Sequence, residues 1–427
     1  MLRRDVLRSL ASFASFAALP GAAGCAASAA GRAGAGAARG ATTTPATDRA
    51  PRLEYAPIGP LPDAVFVERR RRAVELARAA GASAVVASSG ASGFDYLAGA
   101  DFGRSERLIA LLLPVAGAAD EPAAIVAPAF EEERVRRKAR AARVVPWEED
   151  ADPYDLVRRT LGPSARGDVV VEPRADFGVV SALGRAMPEA RLVDGSKLFE
   201  ELRVAKTADE LVRMRRAIAI TEDAIAAAFD ALRVGMTERE AGQLVRHEHQ
   251  RRGIEGGALV QFGPDAALPH GTPGDRRLAM DEVVLIDGGG TFQGYWSDIS
   301  RTRWFGGAPP AKFRALYNFV HDAQTAAIAR VRPGVAAEAI DRAGRAVIAA
   351  GGYGPRFTHR LGHGIGMDGH EATYIVEGNA RPLAPGFVFS VEPGIYLPGE
   401  MGIRLEDDVA CAAEGPDVLS RRAPRVG

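Results

Sequence analysis

An α/β (α+β) protein of two domains is predicted by three observations on the 427-residue sequence. Apolar runs of strand length alternate with helical stretches from about residue 69 to 187, the pattern of a layered α/β domain. Later apolar runs, Val283-Val284-Leu285-Ile286 and Phe387-Val388-Phe389-Ser390-Val391, each end at a carboxylate beside glycine or proline. With the first ~52 residues set aside, about 375 remain, which suits two domains of ~100–200 residues each.

The chain opens on Arg3-Arg4, followed by an Ala/Ser-diluted apolar run over 10–19 and then Pro20-Gly21. This three-part layout is that of a secretory signal, too short for a stable membrane span, and the paired arginines resemble a twin-arginine leader. Two endings stay open: cleavage after Ala27-Ser28-Ala29, or lipid attachment at Cys25 after Ala22-Ala23-Gly24. Residues 1–29 are therefore expected to be an export signal to a periplasmic or other extracytoplasmic site. Residues 30–52, mostly Ala, Gly, Thr and Pro, read as a flexible linker. The expected domains are 53–206 and 207–427.

The 54 basic and 54 acidic side chains cancel, which argues against nucleic acid or an anionic membrane as partner. Only Cys25 and Cys411 exist, and Cys411, in an apolar run, reads as a small buried residue.

In the first domain a helix is predicted over 69–80, closed by Gly81, and a strand over 84–87. Strands at 108–113, 125–126 and 169–171 alternate with helices at 130–142, 153–161 and 176–187. The run from Glu131 to Lys138 reads as a solvated helix face with i,i+4 pairs. Before residue 240 no His, Cys or carboxylate cluster has the spacing of a site. A helix is expected from Asp209 to Leu232, and Thr237-Glu238-Arg239-Glu240 is a capping box for the next. His247 and His249 on that helix point to different faces and read as solvated.

The segment from His359 to Glu371 holds three of the seven histidines among four glycines. Interior glycines cost a helix about 1 kcal/mol each, so His359 and His363 are not a helical ligand pair. An extended or looping backbone remains, which alone fits either a metal site or a glycine-rich surface loop. The carboxylates shift that balance. If the chain after Ile286 is a hairpin centred on Phe292-Gln293, Asp287 and Asp298 face each other across it with Cβ atoms about 5 Å apart, a destabilising pair unless a cation lies between them. Glu392 ends a strand, and Arg404 and Glu406 share a strand face. Four carboxylates with His363 suit two divalent ions roughly 3.5–4 Å apart, whether Mn²⁺, Co²⁺, Fe²⁺ or Zn²⁺. A hydroxide between them would add negative charge for Arg404 to offset.

Leu268-Pro269-His270-Gly271, the run Val284 to Gly290, the run Gly294 to Thr302, the run Gly362 to Glu371, Ser390-Val391-Glu392-Pro393-Gly394 and the run Gly402 to Asp408 resemble, in order and spacing, the motifs of the pita-bread metallopeptidases. The branch is that of the Xaa-Pro aminopeptidases and Xaa-Pro dipeptidases (prolidases). Phe94-Asp95-Tyr96-Leu97-Ala98-Gly99 is similar to the creatinase-like N-terminal domain of that branch. The resemblance implies that Asp287, Asp298, His363, Glu392 and Glu406 are metal ligands, Asp298 and Glu406 bridging. It implies non-ligand site roles for His270, His359 and His370, and an Arg404 bound to the bridging carboxylate. The implied activity is hydrolysis of the bond between an N-terminal residue and proline in peptides by a hydroxide shared between two metals, with Glu392 handling the proton. Homodimerisation is implied too. The rivals are a creatinase-like hydrolase, a methionine aminopeptidase and a metal-free peptide-binding module.

Overall fold

The computed structural model describes residues 55–115, 123–272 and 274–427. The expected export signal, with Cys25 and Ala29, and the expected linker lie outside the described residues. The described residues pack as one compact unit.

The N-terminal half is α1 (Asp63–Ala79), β1 (Ala84–Ser88), α2 (Ser92–Ala98), β2 (Ala110–Pro114), β3 (Ala124–Pro128), α3 (Glu132–Lys138), β4 (Arg143–Trp147), α4 (Pro153–Leu161), β5 (Gly167–Val171), α5 (Phe177–Ala186), β6 (Ala190–Asp194) and α6 (Ser196–Arg203). One mixed sheet runs in the order β4-β3-β2-β1-β5-β6. The central strands are apolar throughout because both faces are covered. Val85 and Ala87 of β1 enter one core with Phe94 and Leu111, whereas Ala84 and Val86 enter another with Leu112 and Val157. Helix α1 begins six residues earlier than its periodicity predicts. Arg69 and Arg70 occupy buried positions there, donating to Tyr96 O, Leu97 O and Arg140 O, so charges stand where the pattern asks for apolar residues. The charged run on α3 pairs within its own helix, Arg137 with Glu133 and Arg136 with Glu132.

The C-terminal half begins with α7 (Ala208–Ala231) and α8 (Glu238–Arg251), each opened by a threonine capping box, at Thr207 and Thr237. Strands β7 (Glu255–Phe262), β8 (Glu282–Phe292), β9 (Tyr295–Trp296) and β10 (Ile299–Phe305) form one antiparallel sheet ordered β10-β8-β7, with β9 on β8. Helices α9 (Ala311–Ile328) and α10 (Ala337–Ala350) follow. Then come β11 (Gly362–Gly364), β12 (Glu371–Ile375), β13 (Val388–Val391), β14 (Gly394–Leu397), β15 (Met401–Arg404), β16 (Asp407–Ala412) and β17 (Gly415–Val418). The second sheet is ordered β12-β11-β13-β16-β17, and β14-β15 is a hairpin beside it. Along β8, Val284 and Ile286 pack under α7 and α8, while Val283 and Leu285 pack with α9, β13 and β15. Period-two alternation thus joins both helix pairs across one strand. Cys411 is buried, as expected.

His249 corrects its reading as solvated. It is fully buried, with Nε2 2.9 Å from Thr221 Oγ1 and Nδ1 2.9 Å from Val245 O. Gly256 and Gly290 make the space, since a Cβ at either would strike the imidazole.

Charged groups join the halves. Arg69 of α1 donates to Glu210 Oε1 of α7 at 2.9 Å and to Tyr295 Oη at 2.7 Å. Lys206 and Arg203 both pair with Glu371, and Arg203 also with Asp368 at 2.9 Å.

Candidate metal centre

Asp287 lies in the middle of β8, which runs five residues beyond the end expected at Asp287. With Asp298 just before β10, His363 on β11, Glu392 just after β13 and Glu406 between β15 and β16, it converges on a cavity of about 290 Å³ that His270, His359, Arg360, His370 and Arg404 also line. All nine residues singled out in the sequence line it, with Arg360 added. Donor atoms of Asp287, Asp298 and Glu406 lie within 4.8 Å of one another, as do those of His363, Glu392 and Glu406, and those of Asp298, His363 and His370.

The hairpin that carries the two aspartates differs from its expected register. Its turn is Gln293-Gly294, both at positive φ of 50° and 85°, the two-residue geometry that favours glycine. The centre therefore moves by one residue and the pairing by two, so Asp287 faces Ser300. Asp298 lies between β9 and β10, diagonal to Asp287 on the same face, and its N–H donates to Asp408 Oδ2 at 3.1 Å.

Ser300 is the consequence that sequence reasoning missed. Its Oγ is 2.7 Å from both Asp287 Oδ1 and Glu406 Oε2 and accepts from Arg404 Nε at 2.8 Å. The signal was present: Ser300 stands two residues beyond Asp298, on the same strand face. Arg404 is corrected as well. Its Nη2 pairs with Asp287 Oδ2 at 2.7 Å, so its ion pair is with Asp287 and not with either carboxylate expected to bridge. Tyr396, also unassigned, accepts from Arg404 Nη1 at 3.0 Å and sits 2.8 Å from His359 Nε2. His359 Nδ1 is 2.8 Å from Arg360 O, and a carbonyl only accepts, so Nδ1 donates and Nε2 accepts from the Tyr396 hydroxyl.

The same logic fixes His363. Its Nδ1 donates to Gly364 O at 3.0 Å, leaving the Nε2 lone pair aimed 3.6 Å from Asp298 Oδ2 and 3.5 Å from Glu392 Oε1. A neutral imidazole held in one tautomer by a backbone carbonyl is the form that binds metal. Burial, then the neighbouring His370, pushes His363 down to about 3. Burial, then the Arg404 charge, pushes His359 down to about 4. The glycines around His363 are explained by close approach: a Cβ at Gly362 would overlap Ser390 O, and one at Gly364 would overlap Ala372 O.

The carboxyls separate into two groups. Asp287 is held below the usual range because Arg404 and the Ser300 hydroxyl outweigh its burial. Burial and the surrounding acids raise Asp298 and Glu406 well above it, and Glu392 to about 7. Acidic groups so crowded lose a proton readily only when cations lie among them. An oxygen-rich set with one imidazole in its metal-binding tautomer fits hard or borderline divalent ions.

The Metallopeptidase family M24 profile matches residues 212–413, and the Creatinase/Prolidase N-terminal domain profile matches 69–205. An uncharacterized peptidase of Staphylococcus epidermidis is 33% identical over 319 residues, spanning 74% of this chain and 88% of that one. Among solved structures, dipeptidase PepE of Mycobacterium ulcerans aligns with TM-score 0.78 at 33% identity, covering 86% of this chain and 98% of its own. The prolidase of Thermococcus sibiricus aligns with TM-score 0.76 at 29% identity over 84% and 98%. The Xaa-Pro dipeptidase of Bacillus anthracis aligns with TM-score 0.76 at 26% identity over 84% and 99%.

Proposed function

Because the chain belongs to metallopeptidase family M24, with a creatinase/prolidase N-terminal domain ahead of a pita-bread domain, we propose that it hydrolyses the bond between an N-terminal residue and proline. The observation that carries the proposal is the convergence of Asp287, Asp298, His363, Glu392 and Glu406 on one cavity, with His270, His359, His370 and Arg404 in its wall. We assign the first five as ligands of two divalent ions, Mn²⁺ first. Such ions, when bound, lower the pKa of a water towards neutrality and polarise a carbonyl.

The protein groups then have these roles. Ser300 and Arg404 orient Asp287 and Glu406. His363 presents Nε2 because Gly364 holds Nδ1. Glu392 takes a proton from the attacking water and returns it to the prolyl nitrogen as the C–N bond breaks. His270 and His370, on the open side, donate N–H to the tetrahedral oxyanion. Tyr396 fixes the orientation of His359.

A creatinase-like or metal-free role would tolerate loss of carboxylates, and all four are in place here. The test compares Ala-Pro, Ala-Pro-Ala and Ala-Ala-Ala as substrates with added Mn²⁺ and with chelator. Release of alanine from the prolyl peptides alone, abolished by chelator, is the expected result; equal cleavage of Ala-Ala-Ala, or none of any peptide, contradicts the proposal. Export through the segment 1–29, with or without lipid at Cys25, and a homodimeric assembly are part of the same proposal. Cell fractionation and sedimentation test them.

A further inference from the structure

Three fully buried polar side chains run behind the metal centre: His249 of α8, Thr221 of α7 and Ser297, the residue before Asp298. None of them lines the cavity that collects the carboxylates. His249 Nε2 lies 2.9 Å from Thr221 Oγ1, and Thr221 Oγ1 lies 2.8 Å from Ser297 Oγ.

One carbonyl directs every proton in this relay. Val245 O, 2.9 Å from His249 Nδ1, can only accept, so Nδ1 donates to it and Nε2 presents a lone pair. Burial holds the imidazole below its ordinary pKa, which keeps it neutral. The Thr221 hydroxyl gives its single proton to Nε2, and its oxygen then accepts from Ser297. The Ser297 oxygen is left with lone pairs for the N–H of Gly290, 3.1 Å away.

That last bond falls at a break in the sheet. Trp296 faces Thr291 and Ile299 faces Gly288, so Ser297 stands opposite Gly290 in one continuous register. Its N–H donates to Gly290 O at 3.1 Å, as a hydrogen-bonded antiparallel pair requires. The reciprocal N–H of Gly290 goes to the Ser297 hydroxyl, so the side chain takes the place of its own carbonyl. The carbonyl is turned over Gly289, where a Cβ would lie 2.3 Å from its oxygen. The strand stops there and Asp298 leaves the ladder. Its N–H goes to Asp408 Oδ2 at 3.1 Å, and its Oδ2 reaches to 3.6 Å from His363 Nε2.

We propose that His249 is a positioning residue: through Thr221 it fixes the Ser297 hydroxyl against Gly290, and the break this makes between β9 and β10 aims Asp298 at the metal ions. The inference rests on the assignment of Asp298 as a ligand under the proposed function.

The test is a calorimetric Mn²⁺ titration of the wild type, His249→Met, Thr221→Val, Ser297→Ala and the His249→Met/Ser297→Ala double variant, with Thr221→Ser as the conservative control. Thermal unfolding of each metal-free protein is measured alongside. The three single variants that break the relay should bind Mn²⁺ about tenfold more weakly, as when other partners that orient a ligand are lost. Thr221→Ser keeps the hydroxyl and should bind as wild type does. The double variant should bind no more weakly than Ser297→Ala, because the relay acts through that one hydroxyl. A merely structural role lowers the unfolding temperature and leaves the affinity of the folded protein unchanged. Wild-type affinity in His249→Met or Ser297→Ala therefore overturns the proposal, as does a double variant whose loss is the product of the single losses, or a Thr221→Ser protein as weak as Thr221→Val. If His249→Met does not fold, Thr221→Val and Ser297→Ala decide by the same criterion. A wild type that binds no Mn²⁺ overturns the ligand assignment and the relay together, whereas variants that match a metal-binding wild type overturn the relay alone.

Discussion

Lys206 Nζ lies 3.0 Å from Glu371 Oε2, an ion pair with both side chains buried. Glu371 follows His370 and also meets Arg203, so the end of the N-terminal half holds the glycine-rich connection from β11, which carries His363, to β12, which His370 precedes. Replacing Glu371 by Gln leaves Lys206 buried without a partner charge, and a loss of roughly 3–5 kcal/mol is expected. Denaturant unfolding at neutral pH measures it.

The same group predicts an acid dependence. Against the cost of burial, Lys206 and Arg203 push Glu371 down to about 2 from its usual 4.5. A depressed folded-state pKa contributes stability that is complete above the unfolded value and is lost as pH falls through the folded one. The pair should therefore give up on the order of 3 kcal/mol between about pH 4.5 and 2. Glu371→Gln should flatten that part of the stability curve; identical slopes for variant and wild type would show that Glu371 is not the titrating group.

Ser300→Ala should leave the fold intact and loosen the centre. It removes the hydroxyl shared by Asp287 and Glu406 and strips Arg404 Nε of its acceptor. Outer partners of this kind change metal affinity by about 10- to 100-fold. Calorimetric titration with Mn²⁺ reads the change directly.

Gly362→Ala drives a methyl group into the Ser390 carbonyl next to His363. A cost above about 4 kcal/mol is expected, because backbone cannot yield as a side-chain tip does. Gly178→Ala in α5 is the control: nothing lies within 4 Å of its Cβ position, and a helix gains up to about 1 kcal/mol from that exchange. Thermal unfolding of the two variants should move in opposite directions.

The site was legible in the sequence where one residue type has one chemical use. Carboxylates beside glycine or proline and an imidazole where no helix could form pointed to Asp287, Asp298, Glu392, Glu406 and His363, with Arg404 on the face of Glu406. The family resemblance added His270, His359 and His370, and the cavity collects all nine together with Arg360. Relations set by register were less legible. One residue's difference at the Gln293-Gly294 turn moved Asp298 away from Asp287 and put Ser300 in its place. Arg69, Arg70 and His249 misled for the opposite reason, since each is a polar residue made acceptable in the core by carbonyl or hydroxyl partners distant in sequence. Short elements such as α2 and β6 carry too few residues for periodicity to register.

The central claim is that five side chains hold two divalent ions, and elemental analysis of the purified, Mn²⁺-equilibrated protein tests it most directly. Two ions per chain are predicted for the wild type, falling to one or fewer in Asp298→Asn and in Glu406→Gln, each of which removes a carboxylate placed among three others. A wild type that retains no metal, or variants that retain the full complement, would contradict the account.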